Sequence, residues 1–93
     1  MAVFIINSLE SYNSMLQSAI EDAYDDDDWI AIGVDTWLVD DNAALVPRSV
    51  TERLLADYDD QSNPFGSYIV VAFNSYWGYH EKETWEWLKR RGF

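Results

Sequence analysis

Apolar positions along the chain fall into runs and periods that predict a short alternation of strands and helices. Ala2 to Ile6 is an apolar, β-branched run and reads as a buried strand. Asn7 and Ser8 follow as cap candidates. From there Leu9, Tyr12, Leu16, Ala19, Ile20 and Ala23 recur at the spacing of one helical face. Glu10, Ser11, Ser14, Gln17, Glu21 and Asp22 lie on the opposite face. The helix is expected to fade in Asp25–Asp28, where four adjacent carboxylates oppose the macrodipole.

Trp29 to Val34 reads as a second strand, with Trp37 to Val39 as its continuation past Asp35. Asp40-Asp41-Asn42 is turn chemistry. Ala43 to Val46 reads as a short returning strand stopped by Pro47. Ser49 to Glu52 fits a capping box, and Val50, Leu54, Leu55 and Tyr58 mark one face of the short helix it opens. After a loop over 61–66, Ser67 to Phe73 is apolar at almost every position, so both faces of this strand are expected to be covered. His80 to Arg91 reads as a last helix that buries Trp85 and Leu88 and ends at Gly92. The expected order is β-α-β-(β)-α-β-α. It describes one α+β (α/β) domain over 1–93, with a mixed sheet of three to four strands and about three helices.

Composition supports a folded domain: 48% of the 93 residues are hydrophobic and 16% aromatic, far from the make-up of a disordered acidic tail. There is no cysteine, so disulfides and thiolate metal sites are excluded. The N-terminal run lacks the basic flank and length of a signal peptide, and no stretch approaches a membrane span. The expected location is the cytoplasm.

Charge changes the picture most. Residues 1–47 hold ten carboxylates and no Lys or Arg. Residues 48–60 add a net −2, residues 61–80 carry no charge apart from the state of His80, and residues 81–93 carry +1, together the formal −11. Such a field disfavours anionic lipid and direct nucleic-acid contact, and suits a basic protein surface.

Local chemistry narrows the function classes. Consecutive Asp25, Asp26, Asp27 and Asp28 lack the alternating spacing of a Ca²⁺ loop, so no metal or other cofactor is expected. His80 has no nucleophile in a motif context, and the four glycines form no phosphate loop. With no nameable catalytic constellation, a non-enzyme is expected. Trp85 and Trp87 cannot share one helical face, so one of them is expected near the surface. Trp77 and Trp87 are the candidate aromatic anchors of an interface.

Acidic residues on a folded scaffold can imitate the phosphates of DNA, about one charge per 1.7 Å of duplex axis. A helix over residues 9–23 would be about 22 Å long. Glu10, Glu21, Asp22 and Asp25–Asp28 would spread charge over a length comparable to a turn of duplex, and Asp40, Asp41, Asp57, Asp59 and Asp60 would form a second row if the fold brings them alongside. This profile resembles the small acidic DNA-mimic inhibitors that phages and plasmids direct against restriction enzymes and CRISPR effectors. Phe4-Ile5-Ile6-Asn7-Ser8-Leu9-Glu10-Ser11-Tyr12-Asn13 is similar to the opening of plasmid antirestriction ArdA proteins, a strand followed by Ser-Leu-x-x-Tyr-Asn. The match covers about ten residues, and Ser14 stands where that family usually has Gly. The resemblance implies steric blockade, without catalysis, of a basic nucleic-acid-binding partner: a CRISPR effector, restriction enzyme or nuclease. The alternative is an immunity or antitoxin protein that neutralises a basic nuclease toxin. Acidity that serves only salt tolerance is a third reading, and homodimerisation through the C-terminal aromatics is left open.

Overall fold

The computed structural model describes residues 2–56, 63–73, 78 and 81–93. Its elements are β1 (Val3–Ser8), α1 (Ser14–Ala23), a single 3₁₀ turn (Asp26–Asp28), β2 (Trp29–Gly33), β3 (Thr36–Asp40), α2 (Pro47–Leu54), β4 (Tyr68–Phe73) and α3 (Lys82–Lys89). The four strands form one sheet in the order β2-β3-β1-β4. The fold is α+β, as expected, and the string of elements agrees with the expected order although its third strand is Thr36–Asp40 rather than Ala43–Val46.

Alternation along β1 explains the layering. Phe4 and Ile6 point to one face, where Trp37 and Val39 of β3 and Leu16, Ala19 and Ile20 of α1 meet Val50 and Leu54 of α2. Val3 and Ile5 point to the other, with Leu38, Ile30 and Phe73, and there Trp87 and Leu88 of α3 close a smaller core. The sheet is therefore a middle layer, with α1 and α2 on one side and α3 on the other.

Several expectations are corrected. Every strand pair is antiparallel, so the sheet is not mixed: β1 sits between β3 and β4 and runs against both. Trp37–Val39 does not continue β2. The chain reverses at Val34-Asp35 and β3 returns beside β2, with Gly33 opposite Thr36 and a bulge between Ala31 and Gly33. Ala43–Val46 is not a strand but the approach to α2, whose first residue is Pro47, where a missing N–H costs nothing.

Helix α1 begins at Ser14, not Leu9, because backbone donors before it are captured by other groups. Asp35 accepts the N–H of Tyr12 and of Asn13 at 3.2 and 3.0 Å. Asn13 then caps the helix by accepting from Leu16 N at 3.1 Å. Leu9 and Tyr12, apparent members of the apolar face, are left exposed. At the other terminus, Gly92 N–H donates to Lys89 O at 3.1 Å and Phe93 N–H to Leu88 O at 3.1 Å, a Schellman pair. This pair requires the positive φ of 89° at Gly92.

The expectation that β4 is covered on both faces also fails. It is an edge strand, and Ile69 and Val71 are 51% and 45% exposed. The buried pair of α3 is Trp87 and Leu88, together with Thr84, whereas Trp85 is only half-buried.

Candidate functional site

The acidic run sits where α1 hands the chain to the edge strand β2. Tyr24 ends the helix and plants its ring in the main core. Asp25 N-caps the 3₁₀ turn, which Asp28 N–H closes by donating to Asp25 O at 2.8 Å. Glu21, Asp22, Asp25, Asp26 and Asp27 are exposed, and Asp28 is partly covered.

Two arginines and a tryptophan from distant parts of the chain grip the backbone of this segment. Arg53 of α2 donates from Nε and Nη2 to Ala23 O at 3.0 and 2.6 Å, placing a cation at the negative end of α1. Its guanidinium also lies 4.4 Å from the centre of the Tyr24 ring. Trp87 Nε1 donates to Asp27 O at 3.1 Å. Arg91 Nη2 donates to the same carbonyl, and Arg91 stacks on Trp87 with its guanidinium carbon 3.8 Å from the ring centre.

The same arginines meet Asp40 and Asp41 inside the protein. Arg91 Nε donates to Asp40 Oδ2 at 2.9 Å, and both side chains are 10% exposed. Asp41 is 3% exposed. It accepts the Tyr24 hydroxyl at 2.8 Å and Ala43 N–H at 3.1 Å, and pairs with Arg53 Nη1 at 3.3 Å. Burial, then the hydrogen bond to Asp41, push the Tyr24 phenol well above its ordinary value.

The expected partner-binding residues therefore divide. Glu21, Asp22, Asp25, Asp26 and Asp27 form one exposed patch, with Asp28 at its inner margin, bound to Arg91 at 3.4 Å. Asp40 and Asp41 do not belong to it: they are internal ion-pair partners, and no second acidic row forms from them. Trp87 is no surface anchor either, being 3% exposed and a member of the α3 core. Asp57, Asp59, Asp60 and Trp77 lie outside the described residues.

The shorter α1 matters as well. Its ten residues span about 15 Å rather than 22 Å, so the carboxylates cluster instead of extending along a duplex-length rod. Salt bridges do not neutralise the cluster. Among the described residues Asp28 alone of the 21–28 segment has a cation partner, and Glu21 receives only a 3.3 Å hydrogen bond from Gln17.

Sequence reasoning missed Arg53 and Arg91, and singled out Trp87 as a surface anchor rather than as part of this clamp. It also missed Glu83 and Glu86, which line a shallow groove of about 460 Å³ against β2 with Ile30, Trp87 and Arg90. No signal along the chain pairs residue 27 with residues 87 and 91. The one available hint was that a chain with so few cations has few to spare for its core. Among the described residues no group of three or more His, Cys, Asp or Glu is arranged to hold a metal ion, and no helix is long and apolar enough to cross a membrane.

Comparison with family models, curated proteins and solved structures gave no match in any of the three. The functional reading therefore rests on the geometry of the acidic patch.

Proposed function

We propose that this protein is a non-catalytic inhibitor that docks its acidic patch, Glu21, Asp22, Asp25, Asp26 and Asp27, in the basic cleft of a nucleic-acid-binding complex. One observation carries the reading. The arginines beside this segment bind its carbonyl oxygens and leave five exposed carboxylates unneutralised. An acidic loop held only by its own backbone would be costly to order on binding. Here Ala23 and Asp27 are already fixed, so less conformational entropy is lost when a partner arrives. The field then steers association with a cationic surface and weakens with salt. The compact patch fits a localised basic pocket better than a long duplex groove.

The test uses the quintuple variant Glu21→Gln, Asp22→Asn, Asp25→Asn, Asp26→Asn, Asp27→Asn. These side chains are exposed and repel one another, so folding is expected to be unchanged or improved. Proteins captured from source-cell lysate by the parent at low salt, but not by the variant, are purified and assayed for nucleic-acid binding with and without the inhibitor. The expected result is a DNA- or RNA-binding complex whose substrate binding the parent blocks and the variant does not. A variant that blocks as well as the parent overturns the reading, as does a captured partner that binds no nucleic acid.

A further inference from the structure

We infer that the outer edge of β4 pairs with the same edge of a second copy of this chain, joining two sheets into one of eight strands. The inference is independent of the inhibitor reading and starts from the hydrogen-bond parity of β4. Leu9 N–H donates to Ser67 O at 2.9 Å, and the β1–β4 register continues as Asn7 opposite Ile69, Ile5 opposite Val71 and Val3 opposite Phe73. In an antiparallel ladder alternate residues bond to the same neighbour, so Ile69, Val71 and Phe73 bond to β1. The N–H and C=O groups of Tyr68, Val70 and Ala72 then point away from the sheet. Among the described residues no strand pairs with them, since β4 ends the sheet order.

Within the described residues, the strand itself lacks the devices by which proteins block strand addition. Tyr68–Phe73 contains no charge, no proline and no bulge, and Ile69 and Val71 stand half-exposed beside it. It is also self-complementary. About a twofold axis at Val70, Val70 faces its own copy and Tyr68 faces Ala72, so all three outward residues pair. Ile69 then lies directly across from the Val71 of the other copy, and the four side chains close one apolar patch.

Charge selects a second copy over repulsion from it. Residues 61–80 carry no charge apart from the state of His80, in a chain of net −11. The acidic patch leads into β2, the opposite edge of the sheet. Seven inter-strand spacings of about 4.8 Å would separate the two β2 strands by roughly 34 Å. That is several times the screening length of about 8 Å at physiological salt. Two copies can meet here with their 21–28 patches held well apart.

The experiment is sedimentation equilibrium of the full chain from micromolar to several hundred micromolar at physiological salt, with Val71→Glu and Ala72→Pro beside the parent. Val71→Glu puts a charge in the apolar patch, and Ala72→Pro deletes an outward donor without touching the β1 ladder. Both should keep the parent's circular dichroism. The parent should reach twice its 10.8 kDa mass while each variant stays at that mass. Register is read by cross-linking, which is clean because the chain has no cysteine. An equal mixture of Ile69→Cys and Val71→Cys should form disulfide-linked dimers at least tenfold faster than either protein alone. Only the mixed pair lies directly opposite, at a Cα separation of about 4.5 Å. A parent that stays monomeric throughout the range overturns the inference. So do folded variants that dimerise like the parent, or cross-linking with no preference for the mixed pair.

Discussion

Replacing Arg91 by Met tests whether the clamp holds the C-terminal helix, the end of β3 and the acidic loop together. The substitution keeps the aliphatic stem that covers Trp87 but removes the charge. It would leave Asp40 with a carboxylate that is 10% exposed and has lost its cation. The other oxygen of that carboxylate, Oδ1, is already buried with no hydrogen-bond partner, so nothing nearby replaces the loss. Breaking a buried pair from one side costs about 3–5 kcal/mol, chiefly through the orphaned charge. The bonds to the carbonyls of Asp27 and Trp87 vanish too, but these losses share one side chain and do not simply add. The expected destabilisation is about 3–5 kcal/mol, a large share of the roughly 5–14 kcal/mol that a domain of this length holds. Urea denaturation followed by tryptophan fluorescence and circular dichroism measures it. Adding Asp40→Asn removes the orphaned charge, so the double variant should recover at least about 1.5 kcal/mol of the loss. A single-variant cost below about 1 kcal/mol, or no recovery in the double variant, would refute the argument that a desolvated ion pair fastens this end of the molecule.

Two further predictions concern single sites. Gly66 has φ +71°, and a Cβ there would lie 1.3 Å from Glu10 Oε2, which accepts Ser67 N–H at 2.7 Å. Gly66→Ala should therefore destabilise by about 1–3 kcal/mol, and the penalty should shrink toward the backbone contribution of about 1 kcal/mol in a Glu10→Ala background; equal penalties in the two backgrounds would rule out the contact. For Tyr24, a phenol raised in the folded state stabilises fully below the unfolded value near 10 and less as pH climbs above it, because the unfolded chain then loses a proton the native state keeps. Tyr24→Phe should cost about 1–2 kcal/mol near neutrality, and above pH 10 the gap to the parent should narrow by up to about 1.4 kcal/mol per pH unit; a constant or widening gap in urea titrations at pH 8, 10 and 11 would refute it.

What could be read from the sequence was what local spacing governs. The Leu16, Ala19 and Ile20 stripe marked the buried face of α1, and the apolar run from Ala2 to Ile6 marked a buried strand. Spacing misled wherever a distant partner decided the outcome. Leu9 and Tyr12 fit the helical period, yet Asp35 draws the preceding backbone into a turn. Helical spacing favoured Trp85 as the partner of Leu88, yet Trp87 is the buried one, because of how α3 lies on Val3 and Leu38. Asp40 and Asp41 look like any turn aspartates. Their burial depends on Tyr24, Arg53 and Arg91, the last of them 51 residues from Asp40. Within the acidic site, the composition of the 21–28 segment was readable and its support was not.

The arrangement of that support separates two jobs that usually share residues. The carbonyls of Ala23 and Asp27 carry the mechanical load, while the side chains of Glu21, Asp22 and Asp25–Asp27 carry none of it. Apart from proline at Glu21 or Asp22, which lie within α1, these side chains can be exchanged at little cost to the fold. The loop works as a display platform: its shape is set by Arg53, Trp87 and Arg91, and its chemistry is free to vary. A library randomised at those five positions should consist mostly of folded members. Drift at the same five positions would change the chemistry of this surface while the core stays fixed.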